Sequence, residues 1–159
     1  MFTPINTLSD QARVWIYPSS RKFYAEEITS LTNKLQDFVT FWNSDIANFK
    51  ASFELKYDRF IIFYVDDDVS VSLADINQQI AFVLELEQQY SITLLDKMNV
   101  CFKQGKYIQY KELKDFKKLI KDRAVTAKTI VFDNLVNTKF DLENYWETPL
   151  SESWYNRFL

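Results

Sequence analysis

Apolar side chains fill both faces of the segment Ala12 to Tyr17: Val14 and Ile16 point one way and Trp15 and Tyr17 the other, the pattern of a strand covered on both sides. Pro18 and the serines behind it end that strand. Ile28, Leu31, Leu35, Phe38 and then Phe41 or Trp42 recur at three- and four-residue spacing, and Glu26 and Glu27 sit where a helix N-terminus favours negative charge. This spacing predicts a first amphipathic helix. Phe53, Leu55 and Tyr57 alternate with polar neighbours, "DR" follows, and "FIIFYV" comes next, so Ala51 to Val65 reads as a hairpin whose second arm is central in a sheet.

Ser72 and Asp75 match a capping box, and Ile76, Ile80, Val83, Leu84 and Tyr90 form the stripe of a second helix. Met98, Val100 and Phe102 alternate, and Gln104-Gly105 precedes Tyr107 to Tyr110, which predicts a second hairpin. Leu113, Phe116, Leu119 and Ile120 mark a third helix, and Thr129 to Phe132 a last strand. The order β-α-β-β-α-β-β-α-β argues for an α+β fold: one domain over residues 1–159, with three amphipathic helices on a mixed sheet of about six strands and an aromatic-rich C-terminal segment.

Composition narrows the chemistry. Average usage would place roughly 11 glycines in a chain of this length, yet Gly105 is the only one. Turns with positive φ therefore fall to Asn and Asp. A P-loop requires two glycines, and around Gly105-Lys106 the motif has Val100 and Tyr107 where Gly and Ser or Thr belong. The dinucleotide fingerprint fails for the same reason. No histidine is present, which removes the commonest general base and the usual zinc ligand. One cysteine, Cys101, forms no internal disulfide and reads as a buried small hydrophobe. The first residues lack a secretory pattern and no apolar run spans a bilayer, so a cytoplasmic setting is expected.

Three features remain as candidate sites. Asp66, Asp67 and Asp68 follow a strand and precede a helix, and with Asp75 they are the only candidate ligands for a divalent cation. Neighbouring strand residues point to opposite faces, so the plainer reading is that these charges end an apolar strand and guard it against pairing. Lys103 to Lys128 carries nine basic residues against three acidic ones, +6 in a chain of net charge −3, leaving −9 elsewhere. Within it, Lys114, Lys117, Lys118 and Lys121 form a basic third helix, a face that can attract nucleic acid, anionic lipid or an acidic partner. Asp115 and Asp122 lie at helix-neighbour spacing from Lys118, as on an ordinary solvated face. The C-terminal "FDLENYWETPLSESWYNRFL" either folds back, the expectation for a monomer, or docks on a partner with Trp154, Tyr155 and Phe158 as anchors.

The segments "ARVWIY", "ASFELKYDRF", "LEQQYSITLLDKMNVCFKQG", "TIVFDNLVNTK" and "ENYWETPLSESWYNRF", in that order, resemble a family of small, largely uncharacterised Bacteroidota proteins that often carry the label "ABC transporter ATPase". The residues here contradict that label in its literal sense, lacking both the P-loop and an L-S-G-G-Q signature. Many members of that family open the second helix with a Gly-Cys-Ser-Ile-Asp segment, which implies an anion or thiol site. The matching positions here are Leu73, Ala74, Asp75, Ile76 and Asn77, without the thiol and with a carboxylate that repels anions. The expectation that follows is a cytoplasmic binding or adaptor module acting through protein contacts. It names no catalytic residue and no cofactor. Its rivals are a carboxylate-dependent metal-binding enzyme or ligand carrier and a nucleic-acid binder working through the third helix.

Overall fold

The computed structural model describes all 159 residues, which gather into two compact units, Met1–Leu95 with Asn137–Phe140, and Asp96–Val136 with Asp141–Leu159. Helices and antiparallel strands occur together along the chain, as the α+β reading requires. All six expected strands and all three expected helices are present.

In the first unit, β1 (Arg13–Pro18), β2 (Ala51–Lys56) and β3 (Phe60–Val65) form an antiparallel sheet in the order β1-β3-β2. The segment FIIFYV contains no charged side chain, and every one of its residues is buried. Such a strand is stable only in the middle of a sheet, where neighbours satisfy its backbone on both edges. Trp15 and Phe53 flank Phe63 across the sheet, and Tyr17 and Leu55 flank Ile61. That face is covered by α1 (Ala25–Phe41) and α2 (Leu73–Tyr90), which contribute Leu31, Leu35, Val39, Val83 and Leu86 to the core. Trp42, just past α1, meets Phe49 at 5.2 Å and Trp15 at 5.9 Å between ring centroids, and Phe38 stacks on Phe82 at 4.4 Å.

The helix stripes differ from expectation in detail. Trp42 is fully buried and Phe41 is 66% exposed, which decides between the two. In α2 the inward residues are Asp75, Gln79, Val83 and Leu86, while Leu84 is 46% exposed. Hydrogen bonds explain the rotation: Trp42 Nε1 donates to the Asp75 carbonyl at 3.0 Å, and the Tyr17 hydroxyl donates to Gln79 Oε1. A stripe read from apolar residues alone overlooks polar residues that find partners inside. The Ser72–Asp75 capping box forms as expected, with Asp75 N–H on Ser72 Oγ at 3.2 Å and Ser72 N–H on the Asp75 carboxylate at 2.9 Å.

In the second unit, β4 (Asn99–Gln104), β5 (Tyr107–Glu112), β6 (Ile130–Phe132) and β7 (Glu147–Pro149) form an antiparallel sheet in the order β5-β4-β6-β7. The strands therefore make two antiparallel sheets of three and four, where the sequence suggested one mixed sheet of about six. The reason is topological. A helix does connect β1 to β2, but β3 lies between them, so no parallel pair forms. Strand β7 and the short helix α4 (Lys139–Tyr145) are additions that periodicity does not detect. Three residues ending in Pro149 carry no alternation, and an edge position tolerates the missing N–H.

Helix α3 (Leu113–Lys121) buries Phe116 among Val100, Phe102, Val125, Val131 and Leu150. Gly105 takes φ +61° in the two-residue β4–β5 turn, the first central position at which a type II′ hairpin needs glycine. Elsewhere Asn43, Asn48, Tyr57, Asp58, Ser91 and Arg123 adopt positive φ, so the substitution of Asn and Asp for glycine is only half the answer. No helix is long and apolar enough to cross a membrane.

Trp42→Ala should cost about 3–5 kcal/mol of unfolding free energy through the cavity it leaves, whereas Phe41→Ala should stay within about 0.5 kcal/mol. Urea denaturation of the two variants beside wild type measures both.

Candidate functional site

The run Asp66-Asp67-Asp68 closes β3, and its three members have different surroundings. Asp66 is 8% exposed. Its carboxylate accepts the Ser9 N–H at 3.1 Å and the Asp67 N–H at 3.0 Å, and Lys50 Nζ lies 3.2 Å away. The same ammonium reaches Asp68 at 2.6 Å, while the Asp67 side chain is exposed. Lys50 thus stands where a bound cation would stand, an internal counterion for the pair. Asp75 is occupied in other ways: its carboxylate takes Ser72 N–H and Asn43 Nδ2, the latter at 2.6 Å, as the cap of α2. Nowhere are three or more carboxylate or thiol side chains gathered as a metal centre would need. Asp66, Asp67, Asp68 and Asp75 therefore do not form one constellation. A shallow cavity of about 330 Å³ beside Lys50 and Asp68, lined also by Ile46, Asn48 and Val69, has no further charged group.

Burial works against ionised Asp66, but the Ser9 amide, Lys50 and the Asp67 amide together hold its pKa below the ordinary aspartate value. Arg21, through a hydrogen bond at 2.9 Å, likewise lowers Glu27. Cys101 is 1% exposed on β4, as expected of a small hydrophobe and not of an accessible nucleophile.

The remaining candidates meet. The C-terminal segment forms two 3-10 turns, Leu150–Glu152 and Trp154–Phe158, and Ser153 between them donates its hydroxyl to the Leu150 carbonyl at 2.7 Å and accepts the Tyr155 N–H at 3.1 Å. This hinge aims Tyr155 inward, where its ring meets Phe116 of α3 at 5.4 Å and 64°. Burial pushes the Tyr155 phenol up to about 12, so it stays neutral at physiological pH. Trp154 turns outward and is 54% exposed, with the Phe158 ring edge-to-face at 5.4 Å. The Arg157 guanidinium lies 4.1 Å over the Trp154 ring, and Lys117 Nζ lies 4.4 Å over Phe158. The basic helix and the aromatic tail, two separate candidates in the sequence, are one continuous surface.

The tail folds back in part. Leu142, Trp146 and Leu150 are buried, whereas Tyr145, Trp154 and Leu159 are each more than half exposed. On α3, Lys114 is 3.5 Å from Glu112, with both side chains largely in water, a pair worth little. Lys117, Lys118 and Lys121 make no ion pair, and neither Asp115 nor Asp122 pairs with Lys118 as their spacing suggested. Arg157 was not singled out in the sequence. Its place three residues after Trp154 was a usable signal, because positions i and i+3 eclipse in a 3-10 turn.

No family model, no curated protein and no solved structure matches the chain.

Two measurements follow from the carboxylates. Groups whose folded pKa is depressed stabilise fully above about pH 5 and lose that contribution as pH falls through the folded value. The unfolding midpoint should therefore drop on acidification, and Asp66→Asn should be less stable at pH 7 and flatter from pH 5 to 3. Because the Lys50 ammonium already lies between Asp66 and Asp68, millimolar Mg²⁺, Ca²⁺ or Mn²⁺ should leave the wild-type midpoint unmoved; calorimetry at matched ionic strength checks this.

Proposed function

We propose that the chain is a protein-binding module that docks a partner through the surface made by Lys114, Lys117, Lys118 and Lys121 of α3 with Trp154, Tyr155 and Phe158 of the C-terminal turn. The observation that carries the reading is the junction itself: Lys117 over Phe158, and Phe116 against Tyr155. It gives an exposed Trp, braced by Arg157, on the same surface as Lys117, Lys118 and Lys121, which make no ion pair. Tryptophan, tyrosine and arginine are the residues from which interface hot spots are built. The module works by contact and without a cofactor. The proposed setting is the reducing cytoplasm, in keeping with a single, buried cysteine.

Affinity capture with wild type, Trp154→Ala and Lys117→Glu/Lys121→Glu tests the reading. The expected result is a partner retained by wild type, cross-linked to residues 114–121 and 154–158, and depleted at least tenfold from both variants. Loss of a hot-spot aromatic at about 2 kcal/mol corresponds to roughly 30-fold in affinity. Equal capture by all three proteins would refute it.

A further inference from the structure

We infer that the segment docked on this surface is a short acidic peptide stretch with an apolar anchor beside its carboxylates, an inference that rests on the protein-binding reading above. The argument begins with the angular order of residues around α3. At about 100° per residue, Lys114, Lys117, Lys118 and Lys121 fall within an arc of about 100°, opposite the buried Phe116. Lys117 borders one side of that arc and Lys118 the other. Phe158 and the turn holding Trp154 lie on the Lys117 side. Asp115 and Asp122, both exposed, fall next to Lys118 on the opposite side. The result is a cationic strip about 10 Å long, with an aromatic border on one flank and a negative border on the other.

Each border restricts the occupant. A uniformly anionic body such as a nucleic-acid backbone or a lipid surface cannot cover the strip without bringing phosphates against Asp115 and Asp122. The charge of the whole chain also opposes it: net −3, with unit one carrying eight basic against thirteen acidic residues and unit two eleven against nine. A polyanion many Debye lengths long feels that whole field, whereas a segment of a few residues feels mainly the local lysines. The cations themselves favour carboxylates met singly. Four of them are lysines, point charges without the fork that reads phosphate or base edges. Arg157, the one guanidinium in contact with the aromatic turn, is already engaged on Trp154, through its face and through Nε on the Trp154 carbonyl at 3.1 Å. Trp154 meets Tyr155 and Phe158 edge-to-face at 88° and 73°, with no parallel ring pair to receive successive bases. An acidic peptide fits both sides: carboxylates over the lysines, an apolar side chain against Trp154 and Phe158, and nothing negative opposite the two aspartates.

Fluorescence anisotropy on the full chain tests this with five probes: a labelled dodecapeptide bearing four Glu and two Leu, the same peptide with Gln for Glu, the same peptide with Lys for Glu, a twelve-nucleotide deoxythymidylate, and vesicles containing phosphatidylserine. The Glu peptide should bind at least tenfold tighter than its Gln analogue and weaken with added salt. Lys117→Glu/Lys121→Glu should weaken it at least tenfold and bind a Lys-for-Glu peptide in its place; a charge swap of that kind cannot come from damaged folding. Equal binding of the Glu and Gln peptides, both abolished by Trp154→Ala, would overturn the acidic-segment inference and leave the protein-binding reading standing. Tighter binding of the oligonucleotide or the vesicles would overturn both. Failure of every probe to bind at millimolar concentration would overturn the inference alone, since partner capture is measured separately.

Discussion

The surface proposed for docking depends on one ring. Phe116, fully buried on α3, packs at 5.0 Å on Phe102 of β4 and at 5.4 Å on Tyr155 of the C-terminal turn. A helix of nine residues is too short to persist in water by propensity alone, so its stability comes from the face it buries. Phe116 is the centre of that face. Its contact with Phe102 fixes α3 against the sheet, and its contact with Tyr155 fixes the turn against α3. The lysines opposite it and the tryptophan next to Tyr155 inherit their positions from this packing.

A different rule governs the acidic residues of the first unit. A buried carboxylate is tolerated when its oxygens are hydrogen-bonded, and both Asp66 and Asp75 meet that condition, Asp66 with backbone amides and the Lys50 ammonium, Asp75 with a backbone amide and the Asn43 side chain. Each performs local work. Asp66 ties the Ser9 loop and Lys50 to the end of β3, and Asp75 closes the first turn of α2 while Asn43 anchors the end of α1 to it. Asp66 and Asp75 thus have structural roles of their own, whereas Asp67 and Asp68 extend into solvent, Asp68 with Lys50 beside it.

Much of the architecture was legible because long, strongly patterned segments declare their type. The strand FIIFYV, the Ser72–Asp75 cap and the Gly105 turn each express one local rule that the tertiary structure does not override. What escaped was set by contacts distant in sequence. The inward turn of Gln79 depends on a hydroxyl 62 residues away, and β7 is a strand only because β6 pairs with it. The candidate site was legible as two parts and illegible as one, since nothing local to Lys117 points to Phe158. The intrahelical pairing suggested for Lys118 did not form for an equally physical reason: exposed pairs at that spacing gain a few tenths of a kcal/mol at most, about what is lost by ordering both side chains.

That small energy also separates what on this surface calls for explanation from what does not. Leaving Lys117, Lys118 and Lys121 without ion pairs costs the fold almost nothing, so by itself it argues for no partner. An exposed Trp154 is also ordinary when it stands alone. The combination is not ordinary, because the Ser153 turn and the Arg157 guanidinium support the exposed indole next to Phe158, the ring that meets Lys117 of the cationic strip. Orienting a large side chain costs conformational entropy, and a ring already oriented loses less of it on binding. Under the proposed docking, an indole already held by Arg157, Tyr155 and Phe158 loses less entropy when a segment of complementary charge covers it.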